Sequence, residues 1–177
     1  GVDRNRIALM GDSAGAHLVS LVALANPLLF APGDKTGTGL DAIRIRAVIG
    51  VYGVYDLLAQ WEHDQVARPM DQITEALMGF SPLDDRIAYF HASPVAHATA
   101  KARRSAFLVV WGTDDDVADW RSQSGQFIKE LKRTGQFVRP VPVVGAPHFW
   151  IDQPIDEACS FTGFVAPKLL RFINEHV

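Results

Sequence analysis

The chain has 177 residues, 48% hydrophobic and 21% charged, with a formal net charge of −3. That composition suits one globular domain with a substantial core. It excludes a basic nucleic-acid footprint and a polybasic membrane patch, and no apolar run approaches the ~18 residues of a membrane span.

The first apolar run, Ile7 to Gly11, leads into Gly11-Asp12-Ser13-Ala14-Gly15. Ala16 to Leu24 follows with the length and residue types of a buried helix. Strand, tight turn and helix in this order give G-x-S-x-G the setting of a nucleophile elbow rather than a plain glycine-rich turn. Both flanking glycines are expected to keep side chains out of the turn, and the helix's amino end favours negative charge near the serine oxygen. Gly37-Thr38-Gly39 follows no strand and reads as a loop, not a dinucleotide site.

Ala47 to Tyr55 and Ala106 to Gly112 are nearly continuous apolar runs, as strands of a parallel sheet covered on both faces require. Between them, Leu57 to Ser105 differs in character, with Trp61, His63 and the pairs Arg68-Pro69, Ser81-Pro82 and Ser93-Pro94 separating helical stretches. We read residues 57–105 as a helical insertion over the strand ends, placed to act as a lid. Farther on, Phe127, Ile128 and Leu131 form one helical face, and Gly135 marks its stop. The last strand, Val138 to Gly145, carries Pro140 and Pro142, whose missing N–H groups fall on one side; it is expected at a sheet edge. A final helix is predicted over Pro167 to Glu175. The alternation predicts a single α/β domain with a mostly parallel sheet flanked by helices. No segment is evident to pair with the outer side of the first strand, so the sheet is expected to continue beyond this chain.

A serine hydroxyl needs a neighbouring base, and a histidine base needs a carboxylate to hold its tautomer. Gly112-Thr113-Asp114-Asp115-Asp116-Val117 directly follows the third strand, and Asp115 is the first candidate for the acid. Asp114, Asp116 and Asp56 remain rivals, although Asp56 also suits a helix cap. Among six histidines, His148 follows the fourth strand and comes last in the chain order serine, acid, histidine. His17 lies one turn past Ser13 on the same helix and reads as structural. His63, His91 and His97 fall in the insertion and His176 in the terminal turn. No His/Asp/Glu set has metal-ligand spacing on one element, and no cofactor is called for. Trp61, Phe149 and Trp150 are candidates for the walls of a substrate pocket. The only cysteine, Cys159, precludes an internal disulfide and is compatible with a reducing, cytoplasmic compartment.

Taken together, Gly11 to Leu18, Ala92-Ser93-Pro94-Val95, Gly112 to Asp115 and Gly145 to Phe149 resemble the α/β-hydrolase superfamily. The similarity is to its bacterial esterase and lipase branch, which includes hormone-sensitive-lipase-like and kynurenine-formamidase-like enzymes. It covers essentially the whole chain but only the carboxyl-terminal half of that family's domain. The resemblance implies a serine esterase acting by a Ser-His-Asp acyl-enzyme mechanism on a small-molecule ester. An aryl formamide or a peptide bond are the further substrates it suggests. Ala14 supplies one oxyanion N–H in this reading, but the family's His-Gly-Gly loop is not in the chain. Losing one such donor costs ~3–4 kcal/mol of transition-state stabilisation. A noncatalytic binding module or an inactive fragment are therefore the competing expectations.

Overall fold

The computed structural model describes residues 1–26 and 43–177. The Gly37 to Gly39 loop reading lies outside the described residues. Four strands, β1 (Ile7–Asp12), β2 (Ile45–Val51), β3 (Ala106–Gly112) and β4 (Phe137–Val143), pair in the order β1-β2-β3-β4. Every pairing is parallel. Asp12, Val51, Gly112 and Val143 therefore end on one rim, and each connection must cross a face of the sheet.

The unbroken apolar run of β3 serves two cores, because successive strand residues point to opposite faces. Phe107, Val109 and Trp111 pack on one face with Ala16 and Leu24 of α1 (Ala14–Leu24) and Phe127 and Leu131 of α6 (Gln126–Arg133). Ala106, Leu108 and Val110 face Val165 and Phe172 of α7 (Phe161–His176) on the other. Each large apolar side chain buried this way contributes ~1.5–3 kcal/mol.

Several boundaries differ from the sequence reading. Strand β2 stops at Val51 instead of running to Tyr55, because Tyr52 takes a left-handed conformation with φ 37° and turns the chain. Helix α7 starts at Phe161, well before the expected Pro167. Ser160 caps it, its Oγ accepting the Gly163 N–H at 3.1 Å. Pro167 then lies inside the helix, where its ring nitrogen cannot donate to the Gly163 carbonyl. Strand β4 begins and ends earlier than predicted, at Phe137 and Val143. It does lie at the edge, with Pro140 and Pro142 opposite Val109 and Trp111.

Between β2 and β3 come α2 (Leu57–Ala67), α3 (Ile73–Met78), α4 (Arg86–Ala92) and α5 (Pro94–His97). They share a small core of Val54, Leu57, Tyr89 and Ala118. Asp56 caps α2 by accepting the N–H groups of Leu58 and Ala59 at 3.0 and 3.1 Å. Buried Gln123 ties the entry of this segment to the main body: its Oε1 accepts the Tyr55 and Asp56 N–H groups at 2.8 and 2.9 Å. No helix among the described residues is long and apolar enough to cross a membrane.

Candidate active site

Ser13 occupies the turn between β1 and α1 with φ 49° and ψ −118°, a backbone conformation that side-chain-bearing residues seldom adopt. Its N–H donates to the Val51 carbonyl at 2.9 Å, which pins the turn to the tip of β2. A Cβ on Gly11 would lie 2.3 Å from the Gly15 carbonyl carbon, so no side chain fits there. Gly15 is different: the nearest atom to an added Cβ is Asp12 Oδ1 at 3.9 Å. Only the first of the two glycines is sterically required, a correction to the sequence reading.

The structure brings Ser13, His148 and Asp115 together. Ser13 Oγ lies 3.0 Å from His148 Nε2, and His148 Nδ1 lies 2.7 Å from Asp115 Oδ2. A carboxylate can only accept, so Nδ1 carries the imidazole proton and the Nε2 lone pair faces the serine hydroxyl. The other oxygen of Asp115 accepts the Val117 and Ala118 N–H groups at 3.0 and 2.9 Å. Both side chains are almost fully shielded, at 2% exposure for His148 and 1% for Asp115. Charge forming on the imidazole is therefore met by a fixed carboxylate in a dry setting.

The rival acids have other duties. Asp114 Oδ1 accepts the Thr113 hydroxyl at 2.9 Å, and Asp116 offers its backbone carbonyl to His63 Nε2 at 3.1 Å. His97 Nε2 donates to the His91 carbonyl at 2.7 Å, and His176 packs on Phe137 and Phe172. His17 is buried, with Nδ1 3.1 Å from the Val54 carbonyl. Burial lowers its pKa more than that bond raises it, so its ring stays neutral.

Two features that hold the acid and histidine loops together carried no sequence signal. Gly145 N–H donates to Thr113 Oγ1 at 2.8 Å, and Asp114 N–H donates to the Ala146 carbonyl at 3.1 Å. A Cβ on Gly112 would fall 2.1 Å from that same Ala146 oxygen, so the glycine permits the close approach. Tyr52 is the second. Its hydroxyl donates to Asp12 Oδ2 at 3.2 Å, and its ring centroid lies 4.6 Å from that of His148. Burial, reinforced by the Asp12 charge, raises its phenol pKa well above the ordinary value.

A pocket of about 390 Å³ opens beside Ser13 and Ala14. Leu18 of α1 forms part of its lining, with Val54 and Leu57 ahead of and within α2 and Ile73, Leu77 and Met78 of α3. Neutral His17 also contributes, and among the described residues the lining contains no carboxylate, lysine or arginine. The three predicted wall residues lie elsewhere. Trp150 is only 1% exposed and packs in the core beneath α7, because that face of the sheet needs a large apolar side chain. Trp61 packs on the insertion's own core and donates its indole N–H to Glu75 at 2.6 Å. Phe149 points outward, 68% exposed, with its ring edge-on to His148 at 4.3 Å. The residues of α3 were missed because their spacing marks an amphipathic helix without saying which cleft it borders.

A parallel sheet with these carboxyl-end loops defines the α/β-hydrolase class, and solved structures share the fold. A Pyrococcus horikoshii acylaminoacyl peptidase overlays with a TM-score of 0.73 at 18% identity, over 99% of this chain and 24% of that one. The esterase Est2 of Thermogutta terrifontis, solved with bound propionate, overlays at 0.68 and 21% identity, over 100% of this chain and 59% of that one. The chain belongs to the BD-FAE family, whose profile matches residues 1–131. Among curated relatives from Mycobacterium tuberculosis, esterase LipC is 32% identical over 99% of this chain. LipM, named a probable carboxylic ester hydrolase, is 32% identical over 77% of it. The chain spans only 41% of LipC and 30% of LipM.

Proposed function

We propose that this chain carries the nucleophile, acid and base of a serine esterase. The carrying observation is the continuous hydrogen-bonded line Ser13–His148–Asp115, with distances of 3.0 and 2.7 Å. In this reading Ser13 Oγ attacks the ester carbonyl as His148 takes its proton. The Ala14 N–H, at the first helical position and so without an intrahelical acceptor, supports the oxyanion. His148 returns the proton to the leaving alcohol, and a water activated the same way releases the acid. The names of LipC and LipM support a carboxylic ester as substrate.

The substrate's larger arm lies against Leu18 and α3. Among the described residues the lining offers no countercharge, so a carboxylate or ammonium there would lose its hydration without replacement. The preferred ester is a small molecule with an uncharged, apolar arm. Residues 57–105 form the lid of this proposed site.

Labelling with a serine-directed fluorophosphonate tests the reading. The expected result is a single adduct on Ser13, abolished by Ser13→Ala. A folded chain that fails to label would overturn it and favour a binding module.

A further inference from the structure

We infer that Tyr52 is a positioning residue that holds the His148 imidazole in line with Ser13, and that its hydroxyl bond to Asp12 fixes it for that role. Its catalytic consequence rests on the function proposed above; its geometry does not.

The two hydrogen bonds to His148 leave one motion of its ring unopposed. Hydrogen bonds at Nδ1 and Nε2 fix the ring within its own plane, but both lie near one line across it. The ring can still rock about that line, and rocking moves the Nε2 lone pair off the serine hydroxyl. Contacts against the faces of the imidazole are what oppose this motion. Tyr52 supplies one, with centroids 4.6 Å apart and planes at 53°; Phe149 supplies an edge-on contact at 4.3 Å and 85°. Phe149 is largely exposed, whereas Tyr52 is 1% exposed, so the rigid contact is Tyr52.

Its backbone is fixed with equal care. Tyr52 sits at φ 37°, uncommon for a bulky residue and kept only where the surroundings over-determine it. Its N–H donates to the Val110 carbonyl at 2.7 Å, on the strand that leads to Asp115. Its hydroxyl reaches Asp12, the residue immediately before Ser13, at 3.2 Å. One residue thus touches the serine turn, the acid strand and the histidine. A residue that only filled space would need the ring and no hydroxyl, since phenylalanine occupies nearly the same volume.

The experiment compares second-order rates of fluorophosphonate labelling at Ser13 in the wild-type chain, Tyr52→Phe, Asp12→Ala, their double variant and Tyr52→Leu. Melting temperatures are measured alongside, and labelling is read well below them. Tyr52→Phe and Asp12→Ala each remove the Tyr52–Asp12 bond; each should slow labelling about fivefold, and together by clearly less than the product of the two. Tyr52→Leu should slow it about 50-fold, the scale expected when a reacting group is misaligned. A purely structural role would lower the melting temperature and leave the labelling rate of folded protein unchanged. Wild-type rates in Tyr52→Leu, or additive effects of the two milder changes, would overturn the inference; the milder pair decides if Tyr52→Leu does not fold. If the wild-type chain fails to label, the esterase proposal is what has failed. The positioning inference is then decided by the downfield NMR resonance of the His148 Nδ1 proton. That resonance should persist in Tyr52→Phe and vanish in Tyr52→Leu, and its survival in Tyr52→Leu would overturn the inference.

Discussion

The carboxyl rim of the sheet and the insertion border the same cleft, but they are built differently. At the rim, Ser13, Asp115 and His148 follow strands whose backbones are locked in parallel register, and the two latter side chains are almost wholly buried. In the insertion, the elements are short helices around a small core, and Leu77, Ile87 and Phe90 remain 65%, 69% and 58% exposed. Chemistry that tolerates little displacement rests on the rigid part, and apolar contact surface comes from the part with fewer restraints. The difference suggests that changes at the rim should act on reaction rate, and changes in α3 on substrate preference.

The largest effect expected is at the acid. Asp115 uses one oxygen for His148 and the other for the N–H groups of Val117 and Ala118. An asparagine has only one acceptor oxygen. Either the loop loses its acceptor or the amide N–H meets His148 and forces the opposite tautomer. Asp115→Asn should therefore lower the turnover of an ester by about 10³-fold, whereas Asp114→Asn should change it by less than about twofold. Steady-state ester kinetics would check this, and equal losses in both variants would reject the assignment of Asp115.

The complementary test alters the pocket and leaves the rim untouched. Met78→Trp places a larger side chain in the space lined by Ile73 and Leu77. For esters with a long apolar arm, KM should rise about tenfold, while acetate turnover and labelling by a small fluorophosphonate stay within about twofold. Running one ester series that varies the acyl group and another that varies the alcohol identifies which arm enters. An equal rise in KM for acetate would show that α3 does not set selectivity.

The same contrast explains what was legible in the sequence. Residues bound to a strand end by covalent connection could be placed from order alone: the elbow at Ser13, the Gly112 to Asp115 turn, and His148 after β4. The apolar run of β3 showed a two-sided sheet because alternate residues serve separate cores. What could not be read were contacts between segments far apart in the chain. Trp150 and Phe149 are neighbours in sequence, yet one lies in the core and the other faces outward. Nothing local separates them; the φ of 57° at Phe149 does, by reversing the chain between them. Tyr52 was read as one more strand residue because its left-handed turn depends on partners in β1 and β3. Within the insertion, neither the boundary of α3 nor the cleft it borders is encoded by its own six residues.

Gly15 offers the smallest test and the sharpest, because here a motif and the local geometry disagree. G-x-S-x-G treats its two glycines alike, but a Cβ on Gly11 meets backbone at 2.3 Å and a Cβ on Gly15 meets nothing closer than 3.9 Å. Gly15 also lies in the first turn of α1, where alanine restricts the unfolded chain more and favours the helix. Gly15→Ala should therefore raise stability by up to about 1 kcal/mol, seen as a melting temperature higher by a few degrees. Labelling of Ser13 should persist in this variant. A folded Gly15→Ala chain that no longer labels would mean that the second glycine is kept for the approach of another group to the serine, such as substrate, and not for the turn itself.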